Sequence, residues 1–302
     1  MSYWDKFSSF NKVIVKEFKK QKEKKFVLVD GGAAGDLSEP FNIAKSAIVA
    51  IRFEPRGEDE VELSSECIYI NGGLWSEDGD GILHLAEDPT TSSIYPPNLK
   101  FLSGFNDKNG LPPRTTKKKV NISLRSIDSC VSSGEMPKPN FIKLDVHSAE
   151  FHALTGSLTS LNNCVGLLVE TWNCEVHEGQ PLHYEIEKFA IENGFEVYDM
   201  ICAARWSVKH NNKINYNERE RYIGSEILFI KKDVPEDLIL EKALVLSLFG
   251  FYSDAQNALQ NLKSENTRNL YSAISQAKLN TTKLSIKLLA KHLFRFMQRI
   301  LS

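Results

Sequence analysis

The segment VLVDGGAAGD places Asp30 and three glycines, Gly31, Gly32 and Gly35, directly after a short apolar run at 26–29. A glycine turn at the end of a buried strand lets the backbone approach a ligand closely, and polar groups at the strand's carboxyl end contact it. The next apolar run ends in IRFEP, which sets Glu54 19 residues after Gly35. A carboxylate at that distance accepts hydrogen bonds from both ribose hydroxyls of an adenosine. Nicotinamide dinucleotides and S-adenosylmethionine are the two cofactors that most often use this geometry. Here the glycines are spaced GGxxG instead of GxGxxG, and Asp30 stands just before the turn, where it can hold a positively charged methionine end. Both features favour S-adenosylmethionine.

These groups need a framework to position them. Apolar runs predict strands at 26–29, 46–53, 67–71, 141–146, 165–170, 195–200 and 226–231. Several are continuous, the pattern of strands buried on both faces of a parallel sheet. Helical periodicity falls between them at 149–161 and 183–193, the second followed by Gly194 as a C-cap requires. Such alternation predicts an α/β, doubly wound, mostly parallel sheet with right-handed crossovers. The stretch 80–121 carries Pro89, Pro96, Pro97, Pro112 and Pro113 and reads as irregular, a lid or substrate loop. Residues 5–25 read as a Lys-rich amphipathic helix with Phe7, Phe10, Ile14 and Phe18 roughly on one face, and the chain after Pro235 reads as helical to its end. The expected organisation is a basic amphipathic helix in 1–25, a catalytic domain over 26–233 and a helical extension over 234–302.

Composition narrows the functional classes. With 302 residues, 42% hydrophobic, and 17 Gly and 11 Pro, the chain is neither disordered nor collagenous. Five cysteines without a CxxC pair argue against a disulfide scaffold or zinc ribbon and for a reducing compartment. No apolar run approaches the ~20 residues that span a bilayer, and the N-terminus lacks an apolar signal core, so a soluble, cytoplasmic protein is expected. A formal charge of −2 conceals an asymmetry: 267–302 holds seven Lys and Arg and no acid, which leaves the preceding 266 residues at −9. Eleven acids between Glu54 and Asp88 make that face a poor partner for nucleic acid. Lys283, Lys287, Lys291, Arg295 and Arg299 recur every four residues opposite Ile286, Leu289, Leu293, Met297 and Ile300. This basic amphipathic helix could pack on its own domain with a solvated stripe, dock a protein partner, or lie peripherally on the inner face of an anionic membrane. His147 and His152 are five residues apart and cannot share a helical face as in HExxH, so no metal site is expected. His177, His183 and His210 lack metal-ligand spacing and read as surface or loop residues, and Cys164 and Cys202 as inert core thiols.

The motifs in order resemble the FkbM family of S-adenosylmethionine-dependent methyltransferases over 26–231. The matching pieces are VDGGAAGD, FEP, NGGLWSEDG, SSIYPPN, FIKLDVHSAEFHALTG, VETW and EGQPL. The resemblance implies a seven-stranded class I methyltransferase sheet, Rossmann-like, with an antiparallel final strand. It implies that Asp30, Gly32, Ala33 and Gly35 line the methionine end of the cofactor, that Glu54 binds ribose, and that Asn71 and Gly73 sit near adenine. Asp145 would stand at the carboxyl end of the fourth strand beside the transferable methyl, with Glu150 one turn into the following helix. Two departures stand out: Asp36 replaces a usual glycine, and His147-Ser148 replaces a Glu-Gly or Gln-Gly pair. Ser148 is tolerable there if its φ stays negative.

The function this implies is O-methyl transfer to a hydroxyl of a sugar, polysaccharide or related natural-product precursor. Asp145 is the first choice of general base, with His147 as rival and Glu150 nearby; Tyr95 and Trp172 are candidates to stack on the acceptor. The alternative is a catalytically degenerate fold serving as an interaction module in surface-glycan assembly, supported by Asp36 and His147. A dehydrogenase is disfavoured by the glycine spacing.

Overall fold

The structure, a computed structural model, describes residues 5–22, 24–32, 35–55, 66–260, 262, 267–283 and 286. Its strands are β1 (Phe26–Gly31), β2 (Ile48–Glu54), β3 (Glu66–Asn71), β4 (Gly73–Leu74), β5 (Gly79–Ala86), β6 (Thr116–Arg125), β7 (Phe141–Leu144), β8 (Gly166–Trp172), β9 (Phe195–Trp206), β10 (Lys209–His210), β11 (Lys213–Ile214) and β12 (Arg221–Lys231). The chain forms two compact units, one of residues 27–36 and 49–233, the other of 1–26, 37–48 and 234–302. The N- and C-terminal extensions expected as separate additions therefore belong to one unit, together with 37–48 from inside the expected catalytic domain.

The larger unit is built on a seven-stranded sheet in the order β3-β2-β1-β7-β8-β12-β9. Every residue of FVLVDG in β1 and FIKL in β7 is buried, the charged Asp30 and Lys143 among them as a facing pair. Strands β1, β7 and β8 run parallel, as do β2 and β3, while β12 is antiparallel to both β8 and β9. This is the seven-stranded α/β sheet with an antiparallel late strand that the motifs implied. The helices Glu150–Thr155 and His183–Glu192 lie in the β7–β8 and β8–β9 connections, the second terminated by Gly194 at φ 83°. The first is shorter than its periodicity suggested. A separate 3-10 turn, Ser160–Asn163, completes that stretch.

The two ends of the region expected to be irregular, 80–121, belong to a second sheet, while 87–115 between them is irregular apart from three short helical turns. Strands β5 and β6 pair antiparallel from Gly79 opposite Leu124 to Ala86 opposite Thr116, and β4 joins β6 in parallel. Leu83, Ile122 and Leu124 form its buried core. The prolines are confined to the connection between these strands, where no ladder hydrogen bond is lost.

In the other unit, helix Asp5–Gln21 buries Ile14, Val15 and Phe18, and Ile239–Leu248 is buried almost throughout. Buried Asn11 donates to the Leu248 carbonyl at 3.2 Å and accepts from the Tyr252 hydroxyl at 3.0 Å, which satisfies its amide inside an apolar setting. The expected basic stripe beyond Lys283, at Lys287, Lys291, Arg295 and Arg299, lies outside the described residues, as does the side chain of Phe7. Among the described residues no helix is long and apolar enough to cross a membrane.

Candidate active site

The candidate residues gather where strands of the large sheet end. Asp30 pairs with Lys143 across β1 and β7, and Glu54 pairs with Asn71 across β2 and β3. Arg52 of β2 donates to the carbonyl of Gly35, in the turn after β1, at 2.5 Å. Its guanidinium also lies 3.7 Å from Asp30. These contacts set the carboxyl ends of β1 and β2 side by side. Gly32 (φ 80°) turns the chain against the end of β7 so tightly that a Cβ there would sit 1.8 Å from the Asp145 carbonyl oxygen. Gly35 is also left-handed, at φ 73°, but faces open space. Asp145 continues the ladder by donating its N–H to Gly31 at 3.1 Å. Gly73 opens β4 in the second sheet, its α-carbon facing Ile122 and Ile94. Ala33 lies outside the described residues.

Asp30 is not presented as the resemblance implied. It is 3% exposed, and its carboxylate is engaged by Lys143 Nζ at 3.4 Å as well as by Arg52. Lys143 is itself buried, and although desolvation opposes its charge, the facing carboxylates Asp30, Asp145 and Glu226 hold its pKa above the usual value. Asp30 thus balances two buried cations behind the glycine turn.

Between β7 and the next helix, the sequence left open whether the strand continued or a helix began at Val146. Neither occurs. Residues 145–149 form a turn in which His147 (φ 49°) and Ser148 (φ 85°) are both left-handed, contrary to the negative φ that would have made Ser148 an easy replacement for glycine. Hydrogen bonds hold the turn in this conformation. Ser93 Oγ donates to the His147 carbonyl at 2.5 Å. Ser148 Oγ donates to Gln180 Oε1 at 3.0 Å and lies 2.7 Å from His177 Nδ1, which leaves that ring nitrogen as the donor. His177, expected as a surface or loop residue, lies in a loop but is buried, 2% exposed, and burial pushes its pKa down to about 3. His183 is only partly buried and bonds Thr171 at 3.1 Å and Glu187 at 2.8 Å, while His210 is exposed.

Ser148→Ala should destabilise the fold by about 1–3 kcal/mol, because it strands a buried imidazole N–H and keeps the left-handed penalty. Ser148→Gly loses the same bonds but relieves the strain, and should be the milder change by roughly 1 kcal/mol. Denaturant midpoints of the two variants check the ranking.

Glu150 is not one turn into the helix but its first residue. It is 1% exposed and accepts from the Val146 N–H at 2.8 Å, closing the turn. Burial raises its pKa to about 8, and the neighbouring Asp145 adds to the rise. Glu170 of β8 is likewise raised well above the carboxylate range, by burial first and then by Asp145 and Glu150. Burial lowers the pKa of His147, whose Nδ1 faces Glu170 Oε2 at 3.4 Å. Donor atoms of Asp145, His147 and Glu170 all lie within 4.8 Å of one another. This set is assembled from the ends of two adjacent strands, an arrangement that the spacing of histidines along one helix does not reveal. Glu170 lies within VETW, where a carboxylate interrupting an apolar strand is the sequence signal for it.

Of the two aromatic candidates, Tyr95 is half-buried, its hydroxyl 2.7 Å from His152 Nε2, and His152 stacks on Trp75 at 3.8 Å between ring centroids. Trp172 is 3% exposed and packs against Trp206 at 6.0 Å in a cluster with Leu102, Phe105, Val176 and Ile223. It is a core residue with no face left for an acceptor ring, which corrects its placement in the substrate site. Cys164 is fully buried with its thiol pKa raised by desolvation, as expected of an inert residue; the side chain of Cys202 lies outside the described residues.

No protein-family model matches the chain, and no curated protein does. Among solved structures it is similar to the methyltransferase FkbM from Methylobacillus flagellatus KT, at 13% identity and a TM-score of 0.33 over 68% of this chain. The chain spans 43% of that protein's length. It is also similar to the magnesium protoporphyrin IX methyltransferase ChlM from Synechocystis PCC 6803 with bound SAM, at 10% identity and a TM-score of 0.29, covering 77% of this chain and 85% of that one. At such identities and scores, function has to be argued from the residues of the site.

Proposed function

We propose that the chain is an S-adenosylmethionine-dependent O-methyltransferase acting on a hydroxyl of a sugar, polysaccharide or related natural-product precursor. The observation that carries this reading is the meeting of the Gly32 turn with Asp145 at the end of β7, on the sheet whose β2 ends in Glu54. The residues fit the cofactor at its adenosine end, where Glu54 and Asn71 end adjacent parallel strands, and at the turn, where glycine keeps the backbone clear of side-chain bulk. Asp30 supports the turn from behind, through Arg52, and is not a direct ligand in this reading.

When bound, S-adenosylmethionine supplies a methyl group made electrophilic by its sulfonium. The chain's part is to align the acceptor oxygen and remove its proton as the new bond forms. Asp145 is 38% exposed at the side chain, the most open of the acidic groups at this turn, and is the group assigned to take the proton. Lys143 Nζ, 3.9 Å from Asp145 Oδ2, fixes the carboxylate from the protein side. Glu150 closes the turn and His147 faces inward to Glu170, so neither competes for that role.

The second reading, a degenerate fold acting as an interaction module in surface-glycan assembly, draws on Asp36 and the His147-Ser148 pair. Incubation with methyl-labelled S-adenosylmethionine and a panel of sugar, glycan and amine acceptors separates the two. A labelled methyl ether is expected. Binding of S-adenosylhomocysteine with no methylated acceptor from the panel would favour the module, and label on the amines alone would contradict the O-methyl assignment.

A further inference from the structure

We infer that Asp145, His147 and Glu170 form a binding site for a divalent transition cation of the Mn²⁺ or Zn²⁺ type. The inference rests on the methyltransferase reading only for what such a cation would do; the site itself rests on the three side chains.

The separation of His147 and Glu170 suits two ligands of one ion. Ligands held ~2.1 Å from a common centre stand about 3.0 Å apart in octahedral and about 3.4 Å apart in tetrahedral coordination. His147 Nδ1 and Glu170 Oε2 are 3.4 Å apart, and the full set with Asp145 falls within 4.8 Å. The two facing atoms form an ion-pair contact but no hydrogen bond, with the buried Arg114 as a further charge acting on Glu170. Each is sealed from solvent, and neither makes a hydrogen bond, although they face one another. A buried imidazole nitrogen and a buried carboxylate oxygen normally bond each other or a third group, because leaving either unsatisfied is costly. Here both lie within 4.8 Å of a carboxylate oxygen of Asp145. The backbone agrees: the left-handed His147 carries its ring to Glu170 although its own side chain gains no hydrogen bond at Nδ1.

The donor set fixes the ion class. One imidazole with two carboxylates suits Mn²⁺ or Zn²⁺, whereas Mg²⁺ prefers oxygen alone. Three protein ligands leave coordination positions open, the arrangement of a catalytic site and not of a structural one. On the methyltransferase reading, the acceptor hydroxyl would take an open position and be polarised there, beside the Asp145 carboxylate that would accept its proton. Lys143, 3.9 Å from Asp145 Oδ2, is a competing positive charge, which sets this site apart from an all-acidic high-affinity cage.

The test is a Mn²⁺ titration of the full chain followed by electron paramagnetic resonance, with spin-echo detection of nitrogen coupling. Wild type should bind about one Mn²⁺ and show imidazole ¹⁴N modulation. His147→Gln should lose that modulation, and Glu170→Gln, nearly isosteric, should weaken binding at least about tenfold. Absence of Mn²⁺ and Zn²⁺ binding at millimolar metal, or equal binding by wild type and both variants, would overturn the site. Calorimetry with S-adenosylhomocysteine on the same samples separates the readings. Cation binding without it supports the site and counts against the methyltransferase, whereas S-adenosylhomocysteine binding without cation binding overturns the site alone.

Discussion

Asp145→Asn should reduce methyl transfer by ~10² to 10⁴, the range lost when a general base is removed, while the protein stays folded and still binds S-adenosylhomocysteine. The expectation follows from position. Asp145 is the last residue to bond into the ladder beyond β7, its carboxylate is the most open of the acidic groups at the turn, and Lys143 holds it from one side. Asparagine keeps the shape and removes the proton acceptor. His147→Gln, which restores a residue type usual in the resembling family, should leave the rate within about tenfold when divalent metal is saturating, since the imidazole faces Glu170 and not the open side. Single-turnover rates of the two variants decide between the groups, and the opposite ranking would move the proton to His147.

Gly32→Ala should be the most damaging single substitution at the glycine turn. Its Cβ would lie 1.8 Å from the Asp145 carbonyl oxygen and 2.7 Å from the carbonyl carbon, both backbone atoms that cannot rotate away. A left-handed φ of 80° adds a strain that alanine bears at roughly 1–2 kcal/mol. Together these should cost at least ~3 kcal/mol and abolish cofactor binding, because relief requires the turn to leave the end of β7. Gly35→Ala is the control. It shares the left-handed conformation but among the described residues meets nothing within 4 Å, so it should lose only about 1 kcal/mol. Thermal midpoints that fall equally in the two variants would contradict the close approach on which the site is built.

The legible parts of this chain are those in which local pattern and tertiary role coincide. FVLV, IVAIRF and FIKL are apolar except for Arg52 and Lys143, which pair with Asp30, because both faces of the central strands are covered, and the carboxylates that follow them mark one end of the sheet. The second sheet was hidden because β5 and β6 find each other across a proline-rich connection, and the Lys117–Lys119 run on β6 looks like loop composition. The grouping of residues 37–48 with the terminal helices was hidden for a related reason: nothing in FNIAKSA distinguishes a short 3-10 segment packed with those helices from a connection inside a Rossmann-like domain. At the site, Asp145 and Glu54 were readable as strand-end acids. Glu170 was not, because its importance depends on which strand lies beside β7. Two left-handed non-glycine residues in succession were also beyond reach, since their stability rests on Ser93, His177 and Gln180, separated from the turn by 29 to 54 residues.

The claim that an adenosyl cofactor lies along the ends of β1, β2 and β3 is tested most directly by calorimetric titration of wild type and Glu54→Ala with S-adenosylhomocysteine, with NAD as the counter-ligand. Wild type should bind S-adenosylhomocysteine and not NAD. Loss of a charge-assisted, paired contact to ribose should weaken binding by roughly 1.5–3 kcal/mol, or about 10- to 100-fold. Equal affinity in the two proteins, or binding of NAD in preference, would contradict the account.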